Sequence, residues 1–124
     1  MELVLTAQEN TENSLLRLAL NGSLNTDTAG DLEQALNTAL SAGWQMVLLD
    51  MAELVYISSA GLRVIFKAAK ELKAKERSLA VANRQPQIEK VFEILQALPD
   101  MAVFSNDQEL DDYLEAMQHK VLGD

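Results

Sequence analysis

The chain has 124 residues, 48% hydrophobic and 23% charged, with nineteen Asp and Glu against ten Lys and Arg for a formal net charge of −9. That length suits one domain spanning 1–124, and the apolar fraction excludes global disorder. The acidic balance argues against a nucleic-acid partner, and the absence of cysteine excludes a disulfide framework, a thiol nucleophile and any Cys-based zinc site.

Leu3 to Thr6 and Leu15 to Leu20 are rich in β-formers and predict two strands, antiparallel across a polar turn at Gln8 to Asn13. A turn-forming cluster, Asn21 to Thr26, leads to Ala29, Leu32, Ala35, Leu36, Ala39 and Leu40 at helical spacing, with Gly43 just past the end. Gln45 to Asp50 holds the run Met46-Val47-Leu48-Leu49, apolar on both faces, as expected of a central strand that ends in an acid.

Met51 to Gly61 reads as a loop that delivers two serines to a second helix, whose stripe is Leu62, Ile65, Phe66, Ala69 and Leu72. Ser78 to Ala82 predicts another strand. Asn83 to Gln87 predicts a turn in which Pro86 opens a third helix carrying Ile88, Val91, Phe92 and Leu95, closed by Pro99-Asp100. Met101 to Phe104 predicts a last strand, and Asp107 to Lys120 a last helix buried through Leu110, Tyr113, Leu114 and Met117. The order β-β-α-β-α-β-α-β-α makes an α/β domain with a mixed sheet of about five strands, the later ones parallel, and about four helices.

Ser58 and Ser59 stand at the start of the second helix, where a serine ordinarily caps a backbone N–H that lacks a partner within the helix. A larger pattern surrounds them. Asp50-Met51, six residues, then Ser58-Ser59-Ala60-Gly61-Leu62-Arg63-Val64-Ile65 resembles the signature of the STAS family, the sulfate-transporter and anti-sigma-factor-antagonist domains. Gly22-Ser23-Leu24-Asn25-Thr26 with Ala29 and Leu32 resembles a second family motif, in the expected order.

The resemblance implies an anti-sigma factor antagonist without catalytic residues, metal or cofactor. Its unphosphorylated form binds an anti-sigma factor serine kinase and frees a sigma factor; phosphorylation of Ser59 ends that capture, and a serine phosphatase restores it. Ser58 stands where sporulation antagonists carry aspartate and is the second choice of acceptor. Asn25 and Thr26 are expected to support the site, Asp50 to hold its loop, and Ala60, Gly61, Leu62 and Arg63 to complete the partner surface. The alternative is a STAS module that is never phosphorylated, serving a transport or sensory complex.

Other readings are weaker. The sole histidine, His119, lies in the last helix and better suits the helix end than catalysis, and neither Gly-x-Ser-x-Gly nor a Walker loop is present. Glu109, Asp111, Asp112 and Glu115 read as a wet acidic face, and Lys67, Lys70, Lys73, Lys75 and Arg77 as a wet basic one. Trp44, Met51, Tyr56 and Phe104 fit contact surface or core edge equally well. No signal-like or membrane-length apolar run appears, so the expectation is a cytoplasmic protein, monomeric when free, without a membrane partner.

Overall fold

A computed structural model describes residues 2–95, 101–104 and 106–121, the side chains of 93–95, 101–103 and 117–121 lying outside that description. The elements are β1 (Leu3–Asn10), β2 (Leu15–Leu24), α1 (Ala29–Ala42), β3 (Met46–Ile57), α2 (Ser59–Ala74), β4 (Ser78–Ala82), α3 (Pro86–Leu95), β5 (Met101–Phe104) and α4 (Asp107–Val121). They form one five-stranded sheet in the order β1-β2-β3-β4-β5. β1 pairs antiparallel to β2, and β2 through β5 run parallel. The predicted order and mixed sheet are thus as expected.

Strand alternation sorts the core into two layers. Leu16, Leu18, Leu20, Val47, Leu49, Leu79 and Val81 meet α1, α2 and α3 on one face. Leu15, Met46, Leu48, Ala80, Ala82 and Phe104 meet Leu110 of α4 on the other. The unbroken run Val47-Leu48-Leu49 follows from this, since both faces of β3 are covered there and each of the three side chains is fully buried. Each such burial contributes roughly 1.5–3 kcal/mol. Gly43 closes α1 in the left-handed conformation at φ 85°, its N–H donating to the Leu40 carbonyl.

Three predicted boundaries fall short. β1 continues to Asn10, because an edge strand needs only its backbone pairing with β2 and carries polar side chains in solvent. The turn is therefore confined to residues 11–14. β2 runs on to Leu24, and β3 continues past Asp50 to Ile57 where a loop was expected. Two bulges allow the latter: Ala19 and Asn21 face Asp50 and Glu53, then Gly22 and Ser23 face Leu54 and Tyr56, so β3 gains one residue at each. The inward positions become Met51, Leu54 and Ile57, a spacing of three that imitates neither a regular strand nor a helix.

Met51 and Phe104 belong to the core, Trp44 packs against it half-buried, and Tyr56 is exposed. Ala35, Leu40 and Phe66 lie at the margins of their helix stripes. Tyr113 is a correction: it leans on the Phe104 ring at a centroid distance of 5.4 Å yet stays exposed, because it lies at the rim of the α4 contact. Met117 and His119 lie on α4 outside the described side chains, as does Leu95 on α3; Pro99-Asp100 falls outside the described residues. No helix among the described residues is long and apolar enough to cross a membrane.

Candidate functional site

Parallel pairing brings the C-terminal ends of β2 and β3 to one edge of the sheet, with Leu24 opposite Ile57. The Ser58 N–H donates to the Leu24 carbonyl at 2.8 Å, which fixes where the chain leaves β3. Ser58 itself is extended (φ −98°, ψ 168°) and caps α2: its Oγ accepts the Gly61 N–H at 3.2 Å, and its carbonyl accepts the Leu62 N–H at 3.0 Å. Ser59 is the first residue of the helix and is exposed, and among the described residues nothing bonds its hydroxyl.

The helix start is held down by small and apolar neighbours. Gly61 and Leu62 are buried, Ala60 half-buried and Arg63 exposed one turn along. A Cβ on Gly61 would stand 2.5 Å from Leu24 Cγ, so only glycine lets α2 settle this closely on β2. The first turn of α2 carries no acidic residue, leaving the positive end of the helix dipole uncompensated beside Ser59.

Asn25 and Thr26 lie on the adjoining β2–α1 connection. The Asn25 carboxamide oxygen accepts the N–H groups of Asp27 and Thr28 at 2.9 and 3.1 Å. The Thr28 hydroxyl donates to the Ser23 carbonyl and accepts the Asn25 N–H, each at 2.8 Å. Asn25 therefore shapes the turn in which Thr26 is exposed.

Asp50 sits elsewhere. Opposite Ala19 rather than Leu24, it lies five β2 residues, about 17 Å, back from the serine edge. Its Oδ2 accepts Arg17 Nη2 and Nε at 2.7 and 3.2 Å, and its Oδ1 accepts the Asn83 amide and the Ala52 N–H, each at 3.1 Å. Asp107 Oδ1, at the start of α4, accepts the same Arg17 Nη2 at 2.8 Å and the same Asn83 amide at 3.0 Å.

This cluster ties α4 to the sheet. Burial acts to raise the Asp50 pKa, but the hydrogen bonds from Arg17, the Ala52 N–H and Asn83 outweigh it and hold the carboxyl below its ordinary range. Asp107 is lowered by the hydrogen bonds of Asn83 and then Arg17. Burial opposes the Arg17 charge, yet both carboxylates together raise its pKa.

Asp50 was expected to hold a loop, but the N–H it accepts, that of Ala52, lies within β3, and Arg17, Asn83 and Asp107 were not anticipated near it. The available signal was Arg17, the lone charge within Leu15-Leu16-Arg17-Leu18. Leu24 was another omission, marked in sequence by its place in Gly22-Ser23-Leu24. The acidic residues of α4 are exposed as described, and among the described residues no group of three or more His, Asp or Glu is placed to hold a metal ion.

The chain is similar to several known proteins. The family model described as STAS domain matches residues 5–110. A Bordetella bronchiseptica protein named "Putative anti-sigma factor antagonist BtrV" is 39% identical over 80 residues, 64% of this chain and 69% of the relative. A crystal structure described as that of a "putative anti-sigma factor antagonist" from Thermotoga maritima superposes with a TM-score of 0.81 at 16% identity, covering 90% of this chain and 94% of that one. The anti-sigma factor antagonist SpoIIAA in its unphosphorylated form gives 0.73 at 19% identity, over 89% and 96% of the two chains. The Bacillus SpoIIAA in its phosphorylated form gives 0.68 at 19%, over 89% and 99%. At these identities the structural likeness speaks for the fold.

Proposed function

This chain belongs to the STAS domain family and, by its sequence relation to the Bordetella protein, to the anti-sigma factor antagonists within it; from that premise we propose that it works by partner switching at Ser59. The unphosphorylated form binds an anti-sigma factor that is also a serine kinase and so releases a sigma factor. The kinase then phosphorylates Ser59 and loses its grip, and a serine phosphatase resets the chain. On this reading the protein works in the cytoplasm, and the chemistry belongs to the kinase and the phosphatase.

One observation carries the choice of residue: Ser59 presents an unengaged hydroxyl at the solvent-facing start of α2, while the neighbouring Ser58 hydroxyl is engaged as the cap of that helix. In the transfer step the Ser59 Oγ bonds to the γ-phosphorus of Mg-ATP, the bond to ADP breaks, and the hydroxyl proton passes to a base on the kinase. The product gains about −1.5 to −2 charges beside a helix start that lacks acidic residues, so the fold tolerates it. A partner docked over the loop meets bulk and a charge to desolvate, which is where binding is lost. That SpoIIAA was solved in both phosphorylated and unphosphorylated forms, each similar to this fold, supports a switch that leaves the domain folded.

The test is intact-mass spectrometry after incubation with Mg-ATP and host lysate, with Ser58→Ala, Ser59→Ala and a no-lysate control. A single phosphate on every variant except Ser59→Ala is expected. Loss on Ser58→Ala alone moves the acceptor by one residue, and modification without lysate points to an activity of the chain itself. No phosphate anywhere, in a lysate with demonstrated kinase activity, favours the unphosphorylated binding module instead.

A further inference from the structure

Tyr56 and Val55 are 53% and 40% exposed, and they are the one pair of sequence neighbours among the described large apolar side chains left in solvent. Their exposure is produced by the backbone. Regular alternation back from buried Ile57 would turn Val55 inward and Leu54 outward. The second bulge in β3, between the Gly22–Leu54 and Ser23–Tyr56 pairs, reverses this, so Leu54 enters the core and Val55 and Tyr56 both face out.

The bulged segment is also braced. β4 stops pairing at Ala82, opposite Asp50, and two side-chain amides continue where the strand ends. Gln85 Nε2 donates to the Ala52 carbonyl at 2.7 Å, and Gln87 Nε2 reaches the Val55 carbonyl at 3.5 Å. The outward pair therefore stands on a held backbone, as a binding anchor requires.

Its position names the occupant. A standard interface covers about 800 Å² per partner, a disc of roughly 16 Å radius. Three residues of chain span at most about 11 Å, which is less than that radius, so Tyr56 lies within reach of a partner centred on Ser59. Tyrosine is among the residues that concentrate binding energy at such centres.

We propose that Val55 and Tyr56 form the apolar anchor on which the Ser59-directed serine kinase docks, Tyr56 acting in binding and taking no part in phosphoryl transfer. This rests on the partner-switching reading above. The test is competition: wild-type chain is phosphorylated by host lysate with Mg-ATP, Ser59 phosphate is followed by mass, and excess Ser59→Ala chain is added as a competitor that can dock without reacting.

Ser59→Ala should suppress phosphorylation, and Ser59→Ala/Tyr56→Ala should need about 10- to 30-fold more protein for the same suppression. Ser59→Ala/Tyr56→Phe, which keeps the apolar ring, should compete like Ser59→Ala, and all three should share one circular-dichroism melting profile. Equal suppression by the Tyr56→Ala competitor with an intact fold overturns the anchor while leaving the switch standing. A wild-type chain that takes no phosphate overturns the switch itself, and with it the kinase that would be anchored.

Discussion

Gly61 packs against Leu24 so closely that a Cβ on the glycine would stand 2.5 Å from Leu24 Cγ and 2.7 Å from its Cδ2. Two effects oppose each other in Gly61→Ala. Helix propensity favours alanine by about 1 kcal/mol, whereas overpacking a filled core costs about 1–3 kcal/mol. Leu24 is fully buried and has no solvent to move into, so the second effect wins. Gly61→Ala is expected to lower stability by up to about 2 kcal/mol, read as a reduced urea midpoint with unchanged slope; a stabilised variant would show that α2 can lift from β2.

The two serines should separate in stability. Ser58→Ala removes the acceptor for the Gly61 N–H and is expected to cost about 1 kcal/mol, while Ser58→Asp, also a good cap, should keep most of it. Ser59→Ala and Ser59→Asp, exposed and outside the cap, should stay within about 0.5 kcal/mol of wild type in the same urea series. A larger loss from Ser59→Ala than from Ser58→Ala would mean that the capping roles are reversed.

The acid limb of stability should trace the Arg17 cluster. Asp50 and Asp107 both titrate below the ordinary 3.8 in the folded chain, so they bind fewer protons than their unfolded counterparts as pH falls. Their contribution is complete above the ordinary value and disappears as pH drops through the depressed folded values, below 3.8. Asp50→Asn is expected to lose roughly 2 kcal/mol at pH 7 and to show a shallower decline as pH falls below the ordinary value of 3.8. Parallel pH profiles for the two proteins would show that Asp50 does not set that limb.

Gly22 holds the start of β1. It sits at φ 118°, and a Cβ there would overlap the Glu2 carbonyl oxygen, the acceptor of the Ser23 N–H at 3.4 Å. Gly22→Ala should cost at least about 2 kcal/mol, from backbone strain as well as collision. Hydrogen exchange should quicken first at the β1 end of the sheet, where Leu3 faces Gly22.

Element order was legible wherever a single periodicity governed a segment, as in α1 with Leu32, Leu36 and Ala39 buried at one stripe. It was not legible in Met51–Ile57, because the bulges that keep this stretch in register with β2 are a property of the pair of strands, and the spacing of Met51, Leu54 and Ile57 resembles no isolated element. The place of the serine pair at a helix start was readable from local capping chemistry, and its reading as a site came from the family resemblance. The partners of Asp50 were hidden by distance, since Arg17 and Asn83 each lie 33 residues away and α4 supplies Asp107 from the far end of the chain.

β1 forms one margin of the sheet with eight residues that include neither lysine nor proline and only one charge, Glu9. Such an open margin is a template for strand pairing between molecules. What guards it is colloidal: a net charge of −9 repels a second copy before two margins meet. The acidic composition, uninformative about the fold, thus serves as the solubility device of a sheet that closes neither on itself nor under a helix at this side. It weakens toward the isoelectric point near 4.5, where chain-to-chain aggregation through β1 is expected to begin.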